Sequence, residues 1–262
     1  MNPSFRPLWK RTAVASASVA TITLLSATMA SAALTPVDLE LFLSMDVSGS
    51  VDATEFDLQK QGYAQAFQDA AIHAAIASKP NGVAVALGQW GAVANTPILG
   101  WSLLKTGADA DAFATAITGI TRLSTGNTCV SCGINAAVAE IQGNDYIGKS
   151  IIDVSGDGRD NVAGTAATAA ARDAAAALNI RINGLPILGQ ADLLNWYTTN
   201  VKTADGFIMP AADFAAFNQA VKLKIRKEIV DEVPAPLPIL GAGMALGFSR
   251  RLRKRINIAT LA

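Results

Sequence analysis

The sequence predicts an α/β fold in which a mostly parallel central sheet is covered on both faces by helices and carries one antiparallel edge strand. Three observations predict it. Short apolar runs alternate with longer stretches of helical periodicity, the arrangement that buries a parallel sheet between two helical layers. Only a short Gly/Pro-containing connection separates the second and third strand candidates, Val83–Gly91 and Ile98–Leu104, which implies an antiparallel hairpin at a sheet edge. The first apolar run, Leu39–Met45, stops abruptly in Asp46-Val47-Ser48-Gly49-Ser50. Ligands of open α/β sheets sit outside the carboxyl ends of the strands, where this turn lies.

Each element has a local reason. Leu39, Leu41, Leu43 and Met45 alternate with Glu40, Phe42 and Ser44, as in a buried strand. Asp52–Ala77 reads as one long helix that Asp52 or Thr54 caps, with Glu55 and Asp57 favourable in its first turn. Lys79-Pro80-Asn81-Gly82 ends it. After the hairpin come a helix at Asp109–Ile120, a Gly/Thr-rich loop at Ser124–Thr128 and a helix at about Ser131–Gln142. Lys149–Ser155 is a strand that ends in Gly156-Asp157-Gly158. An Ala-rich helix (Val162–Leu178), a strand (Ile180–Leu188), a helix (Asp192–Val201), a short strand (Gly206–Met209) and a last helix (Ala212–Val230) complete the pattern.

Composition bounds the function. The chain has 262 residues, 51% of them hydrophobic, enough for a full core, and equal numbers of acidic and basic residues. The charges are unevenly placed. Three basic residues precede Ala33, five follow Val233, and all 21 acidic residues lie between. An acidic central region lacks the basic footprint that phosphate binding needs, so nucleic acid is not expected as a partner. Residues 1–32 read as a secretory signal: Arg6, Lys10 and Arg11, then the apolar Ala13–Ala30, then Ala30-Ser31-Ala32 as an A-x-A cleavage site. The expected organisation is a signal peptide at 1–32, one α/β domain at 33–232, and a tail at 233–262. Localisation follows as exported, periplasmic or at the cell surface.

Three loops carry the oxygen chemistry. Asp46, Ser48 and Ser50 present a carboxylate and two hydroxyls at a spacing of two. Such small oxygen donors suit a hard cation such as Mg²⁺. The D-x-S-x-S stretch resembles the metal-ion-dependent adhesion site (MIDAS) of von Willebrand factor type A (VWA) domains, which have a three-layer α-β-α, Rossmann-like fold. That family adds a Thr after a Gly-rich turn and an Asp-Gly after an apolar strand. Gly126-Asn127-Thr128 and Asp157-Gly158 match those two loops. The resemblance covers about Val37–Val230. It implies that Ser48 and Ser50 bind the metal (Mg²⁺, or Mn²⁺ or Ca²⁺) directly, and that Asp46 and Asp157 act largely through water. Thr128 would join directly or through water, and one position would stay open for an acidic group of a protein or extracellular-matrix ligand. The stretch Ile151–Asn161 (IIDVSGDGRDN) also resembles an exported bacterial subgroup of VWA-like proteins, domain of unknown function 1194.

Other residues admit several readings. Asp153 is a carboxylate inside an apolar strand and needs partners there. It would accept loop amides, pair with Arg159, or support the metal site from behind. Cys129 and Cys132, the two cysteines, form C-x₂-C at a helix start. A structural disulfide, a redox pair and half of a zinc site all fit that spacing, although a zinc site lacks further ligands. His73, the single histidine, reads as an ordinary helix residue, and Trp90 and Trp101 as packing residues flanking the hairpin.

The tail joins a Pro-rich linker (Val233–Pro238), a short apolar run (Ile239–Phe248) and a basic cluster (Ser249–Arg255). The apolar run is shorter than a stable membrane span, and cytoplasmic retention of the cluster follows the positive-inside rule. This order is similar to PEP-CTERM sorting signals, which exosortase-like enzymes recognise, with Pro234-Ala235-Pro236 in place of Pro-Glu-Pro. The resemblance implies sorting at, or membrane contact through, this segment. The expected function is a non-enzymatic, metal-bridged adhesion or binding protein of the cell envelope. The alternatives are an envelope structural protein with a vestigial site and a thiol–disulfide oxidoreductase.

Overall fold

The computed structural model describes residues 33–230; the signal-peptide and tail expectations lie outside the described residues. Five strands form one sheet: β1 (Thr35–Asp46), β2 (Val83–Trp90), β3 (Ala94–Leu104), β4 (Tyr146–Gly156) and β5 (Ile180–Pro186). Their order is β3-β2-β1-β4-β5. β1 pairs in parallel with β2 and β4, and β4 with β5, while β2 and β3 are antiparallel. The central β1 explains the alternation in its sequence. Leu39, Leu41, Leu43 and Met45 face one core, and Phe42 faces the other.

Among the described residues, seven helices make the two outer layers: α1 (Ala53–Phe67), α2 (Ala70–Ala77), α3 (Gly107–Thr118), α4 (Val130–Gly143), α5 (Thr165–Ala177), α6 (Leu193–Asn200) and α7 (Phe217–Val230). Phe56, Tyr63 and Phe67 of α1 pack with Phe113 of α3 and with Phe217 and Val221 of α7 on one face. Val130 and Ile134 of α4, Ala171 of α5, and Trp196 and Tyr197 of α6 pack on the other. Among the described residues, no helix is long and apolar enough to cross a membrane.

Four details differ from the sequence reading. The first long helix is two helices. Gln68 closes α1, and the Asp69 carboxylate caps α2 by accepting the Ala71 N–H at 2.9 Å. An acidic residue in mid-pattern is thus a new start, because its short side chain competes for backbone amides. β3 begins at Ala94, earlier than its apolar run, because pairing with β2 continues through Asn95. The expected strand at Gly206–Met209 survives only as isolated bridges, Gly184 with Ile208 and Ile187 with Ala211. α7 begins at Phe217 rather than Ala212.

Candidate functional site

The site lies at the carboxyl ends of β1 and β4. Asp46 is the last residue of β1, and its side chain turns back on its own loop. Its Oδ1 accepts the Ser48 N–H at 2.7 Å, and its Oδ2 accepts the Asp157 N–H at 3.4 Å. Ser48 and Ser50 bring their hydroxyl oxygens to 3.2 Å, and Ser50 donates to Asp157 Oδ1 at 2.7 Å. The first and third loops therefore meet through side chains. Gly156 permits this approach, since a Cβ there would stand 2.7 Å from both Asp46 Oδ2 and the Tyr197 hydroxyl. The second loop docks by its backbone: Gly49 N–H donates to Gly126 O at 2.6 Å. Thr128 Oγ1 would be 3.4 Å from a Cβ at Gly158, so Thr128 faces the third loop. Ser50, Thr128 and Asp157 line an open cleft of about 400 Å³ with Gly158, Arg159, Asn161, Gly189 and Gln190.

The buried floor of the site is anionic. Asp46 and Ser48 are fully buried. Burial pushes the Asp46 carboxyl up to about 7. The Ser48 amide opposes that shift, and the charge of Asp157 adds to it. Among the described residues, neither Asp46 nor Asp157 forms an ion pair with Lys or Arg. Among the described residues the buried Tyr197 hydroxyl beside Asp46 has no hydrogen-bond partner, and burial raises its pKa well above the usual phenol value. A hard divalent cation fits this set: the candidate donors are all oxygens, and it would supply the missing positive charge. Among the described residues, no three His, Cys, Asp or Glu side chains cluster in a way that could hold a metal. Such an ion would therefore depend on the hydroxyls of Ser48, Ser50 and Thr128.

Several bracing residues escape a reading of the motifs alone. Arg122 Nη2 donates to Val47 O at 2.9 Å and Ser48 O at 2.6 Å, and its Nε reaches Ser124 O at 3.2 Å. It ties the first loop to the second. Gln59 of α1 donates to Asp46 O at 3.0 Å. Asp160 joins the second and third loops. One oxygen accepts from Ser131 N and Oγ at the start of α4, and the other accepts the N–H groups of Val162, Ala163 and Gly164. Asn161 Oδ1 accepts the Thr128 N–H at 2.8 Å, and Asn161 N–H returns a bond to Thr128 O at 2.9 Å. The signal for Asp160 and Asn161 was present as the acidic and amide residues that follow Asp157-Gly158, a composition that makes turns by bonding nearby amides.

Cys129 and Cys132 are joined in a disulfide across the first turn of α4, directly after Thr128. Cys129 is fully buried. Asp153 does not pair with Arg159 or accept loop amides. It faces the α7 side, where Lys224 Nζ stands 2.7 Å from its Oδ1. Strand alternation explains the separation: Asp153 points to the opposite face of the sheet from Val154 and the α4 layer. Arg159 instead reaches Ala191 O and Asp192. His73 Nε2 lies 2.7 Å from Phe67 O, among α1–α3 rather than at the cleft. Trp90 is buried beneath Gly133, and Trp101 packs against Phe42 and Tyr146.

Comparison with known proteins adds three findings. A family model described as "Protein of unknown function (DUF1194)" matches residues 36–233. No curated protein matches the sequence. Solved structures do match. Proximal thread matrix protein 1 from the mussel byssus superposes with a TM-score of 0.56 at 15% identity over 75% of this chain and 47% of that one. A second structure of it is described as having a zinc-occupied MIDAS motif (TM-score 0.50, 16% identity, 74% and 46%). The PilB minor pilin from Streptococcus sanguinis gives 0.55 at 12% identity (74% and 62%). A von Willebrand factor type A protein from Catenulispora acidiphila gives 0.50 at 16% identity (73% and 42%). The chain spans less than two thirds of each, and these likenesses show the fold.

Proposed function

Because the chain belongs to the DUF1194 family and has the fold of a von Willebrand factor A-type domain, we propose that it is an exported binding protein that holds an acidic group of a protein or matrix ligand through a divalent cation. The observation that carries this is the meeting of Ser48, Ser50 and Asp157 beside the buried Asp46 carboxylate, where Ser50, Asp157 and Thr128 line an open cleft. The ion, Mg²⁺ or a related divalent metal, supplies a Lewis-acidic positive charge for a ligand carboxylate. The hydroxyls of Ser48, Ser50 and Thr128 hold it, and Asp46 and Asp157 balance its charge. The zinc-occupied MIDAS motif of the mussel structure supports a divalent ion of this class.

The function is binding rather than catalysis. His73 lies away from the cleft, and Cys129, the first sulfur of the C-x₂-C pair, is fully buried and so shielded from a substrate thiol or disulfide. Export rests on the signal-like residues 1–32, and sorting by an exosortase-like enzyme or membrane contact on the apolar and basic tail. The test is capture of the purified protein on carboxylate-coated beads. Mg²⁺-dependent capture that EDTA reverses, and that hydroxyl-coated beads lack, is the expected result. Equal capture with and without EDTA contradicts the metal bridge.

A further inference from the structure

The cleft holds one basic side chain, and its placement bears on which acidic ligand fits. Arg159 lines the cleft with Ser50, Thr128 and Asp157. It follows Asp157-Gly158 directly, so its backbone is fixed by the same loop that carries the candidate metal residues. Its amide donates to Gln190 Oε1 at 3.1 Å, and its Nη2 donates to Ala191 O at 2.7 Å. Nη2 also lies 3.5 Å from Asp192 Oδ2, a loose ion pair whose arginine side chain is 36% exposed. The guanidinium is thus anchored on one edge. Its buried Nε has no hydrogen-bond acceptor among the described residues.

A planar guanidinium presents five donors, and one anchored edge leaves donors over for a carboxylate. The charge has a second consequence. The domain is acidic overall, with 21 acidic residues in the whole chain all lying between the basic ends. An anionic ligand is repelled at a distance and needs local positive charge to settle.

Resting on the metal-bridge reading above, we propose that Arg159 is a specificity determinant that makes the cleft select ligands with two neighbouring carboxylates, one for the metal and one for the guanidinium. Asp192 is then the intramolecular competitor, an exposed carboxylate that the second ligand acid displaces. The ligand class is a protein segment with closely spaced acidic residues, not one with a lone acid.

The test uses the full-length purified protein with saturating Mg²⁺ and three N-acetylated, C-amidated tripeptides: Asp-Gly-Asp, Asp-Gly-Asn and Asn-Gly-Asp. Spacing of two places both side chains on one side of an extended peptide. Asp-Gly-Asp is expected to bind about tenfold tighter than either single-acid peptide, as a charge-assisted hydrogen-bonded pair allows. In Arg159→Gln that preference falls to about twofold, the statistical advantage of two acids, while Mg²⁺ binding itself is unchanged. Asp192→Asn supplies an independent arm. Asn tolerates the left-handed backbone found at Asp192 (φ 59°), so the fold is kept. Removing the competing carboxylate raises the Asp-Gly-Asp preference further.

Equal affinities for the three peptides in a parent that binds Mg²⁺ would overturn this inference alone. So would an Arg159→Gln protein that keeps the full preference, or an Asp192→Asn protein that shows no gain. A folded parent that binds no Mg²⁺ would instead remove the metal-bridge reading, and this inference with it.

Discussion

Two buried groups of carboxylates occupy opposite faces of the same sheet, and they solve the problem of buried charge in different ways. Under α7, Lys224 Nζ lies 2.7 Å from Asp153 Oδ1 and 2.6 Å from Glu228 Oε1, with all three side chains fully excluded from solvent. Asn183 adds a hydrogen bond to Glu228 at 2.9 Å. At the cleft, Asp46 is equally buried, but the charge that acts on it is that of another carboxylate, Asp157. One group holds an ion-paired lysine, and the other sets serine hydroxyls beside its carboxylates. A buried charge with its own counter-ion is a closed structural element, whereas one without is open to a cation from outside.

The largest effect that can break this comparison is at Lys224. Lys224→Met leaves Asp153 buried without its cation and is expected to cost about 3–5 kcal/mol in a denaturant titration. Adding Asp153→Asn recovers more than half of that loss. Mg²⁺ affinity stays at the parent value in the double variant if the α7 cluster is self-contained. A drop in affinity would show that Asp153 supports the metal site after all.

At the cleft the expected effect is of opposite origin. Mg²⁺ at a hundredfold excess over its Kd should stabilise the parent by about 2.7 kcal/mol, read as a rise in Tm. Asp157→Asn and Ser48→Ala proteins should show little or no rise. Next in size is the disulfide. Replacing Cys129 and Cys132 together by Ala opens a loop of a few residues, for which chain entropy predicts a loss of about 2 kcal/mol. Because Thr128 adjoins Cys129, Mg²⁺ affinity should weaken in parallel, which a parallel calorimetric titration checks.

The effect that is smallest per step is a pH slope. Burial, and then the negative charge of Asp153, push the Glu228 carboxyl up to about 8, against the pull of Lys224. Between the ordinary glutamate value and about 8 the folded protein keeps a proton that the unfolded chain has lost. Stability from this group is therefore complete below that range and falls as pH rises through it. The slope is at most about 1.4 kcal/mol per pH unit. Glu228→Gln should flatten it, in Tm measured across pH.

What the sequence made legible follows the reach of each interaction. Asp46, Ser48 and Ser50 lie within one turn, so their closeness is a local matter, and Thr128 and Asp157 were reached through the likeness of their loops to the VWA pattern. Arg122 was not legible, because its acceptors Val47 and Ser48 lie more than 70 residues away. Lys224 reads as an exposed position of a charged helix. Only the register that sets Asp153 beside Asn183 across β4 and β5 shows why a cation belongs there. The helix break at Asp69 was written locally, but a good capping residue also reads as an ordinary polar face. The degenerate strand near Ile208 is a tertiary outcome: two bridges form where a full ladder does not.

The most direct test of the central claim is calorimetric titration of Mg²⁺ into the purified protein, beside a Ser48→Ala variant shown by circular dichroism to be folded. The account predicts one saturable site in the parent and none in the variant. No binding by a folded parent would contradict it, and so would undiminished binding by the variant.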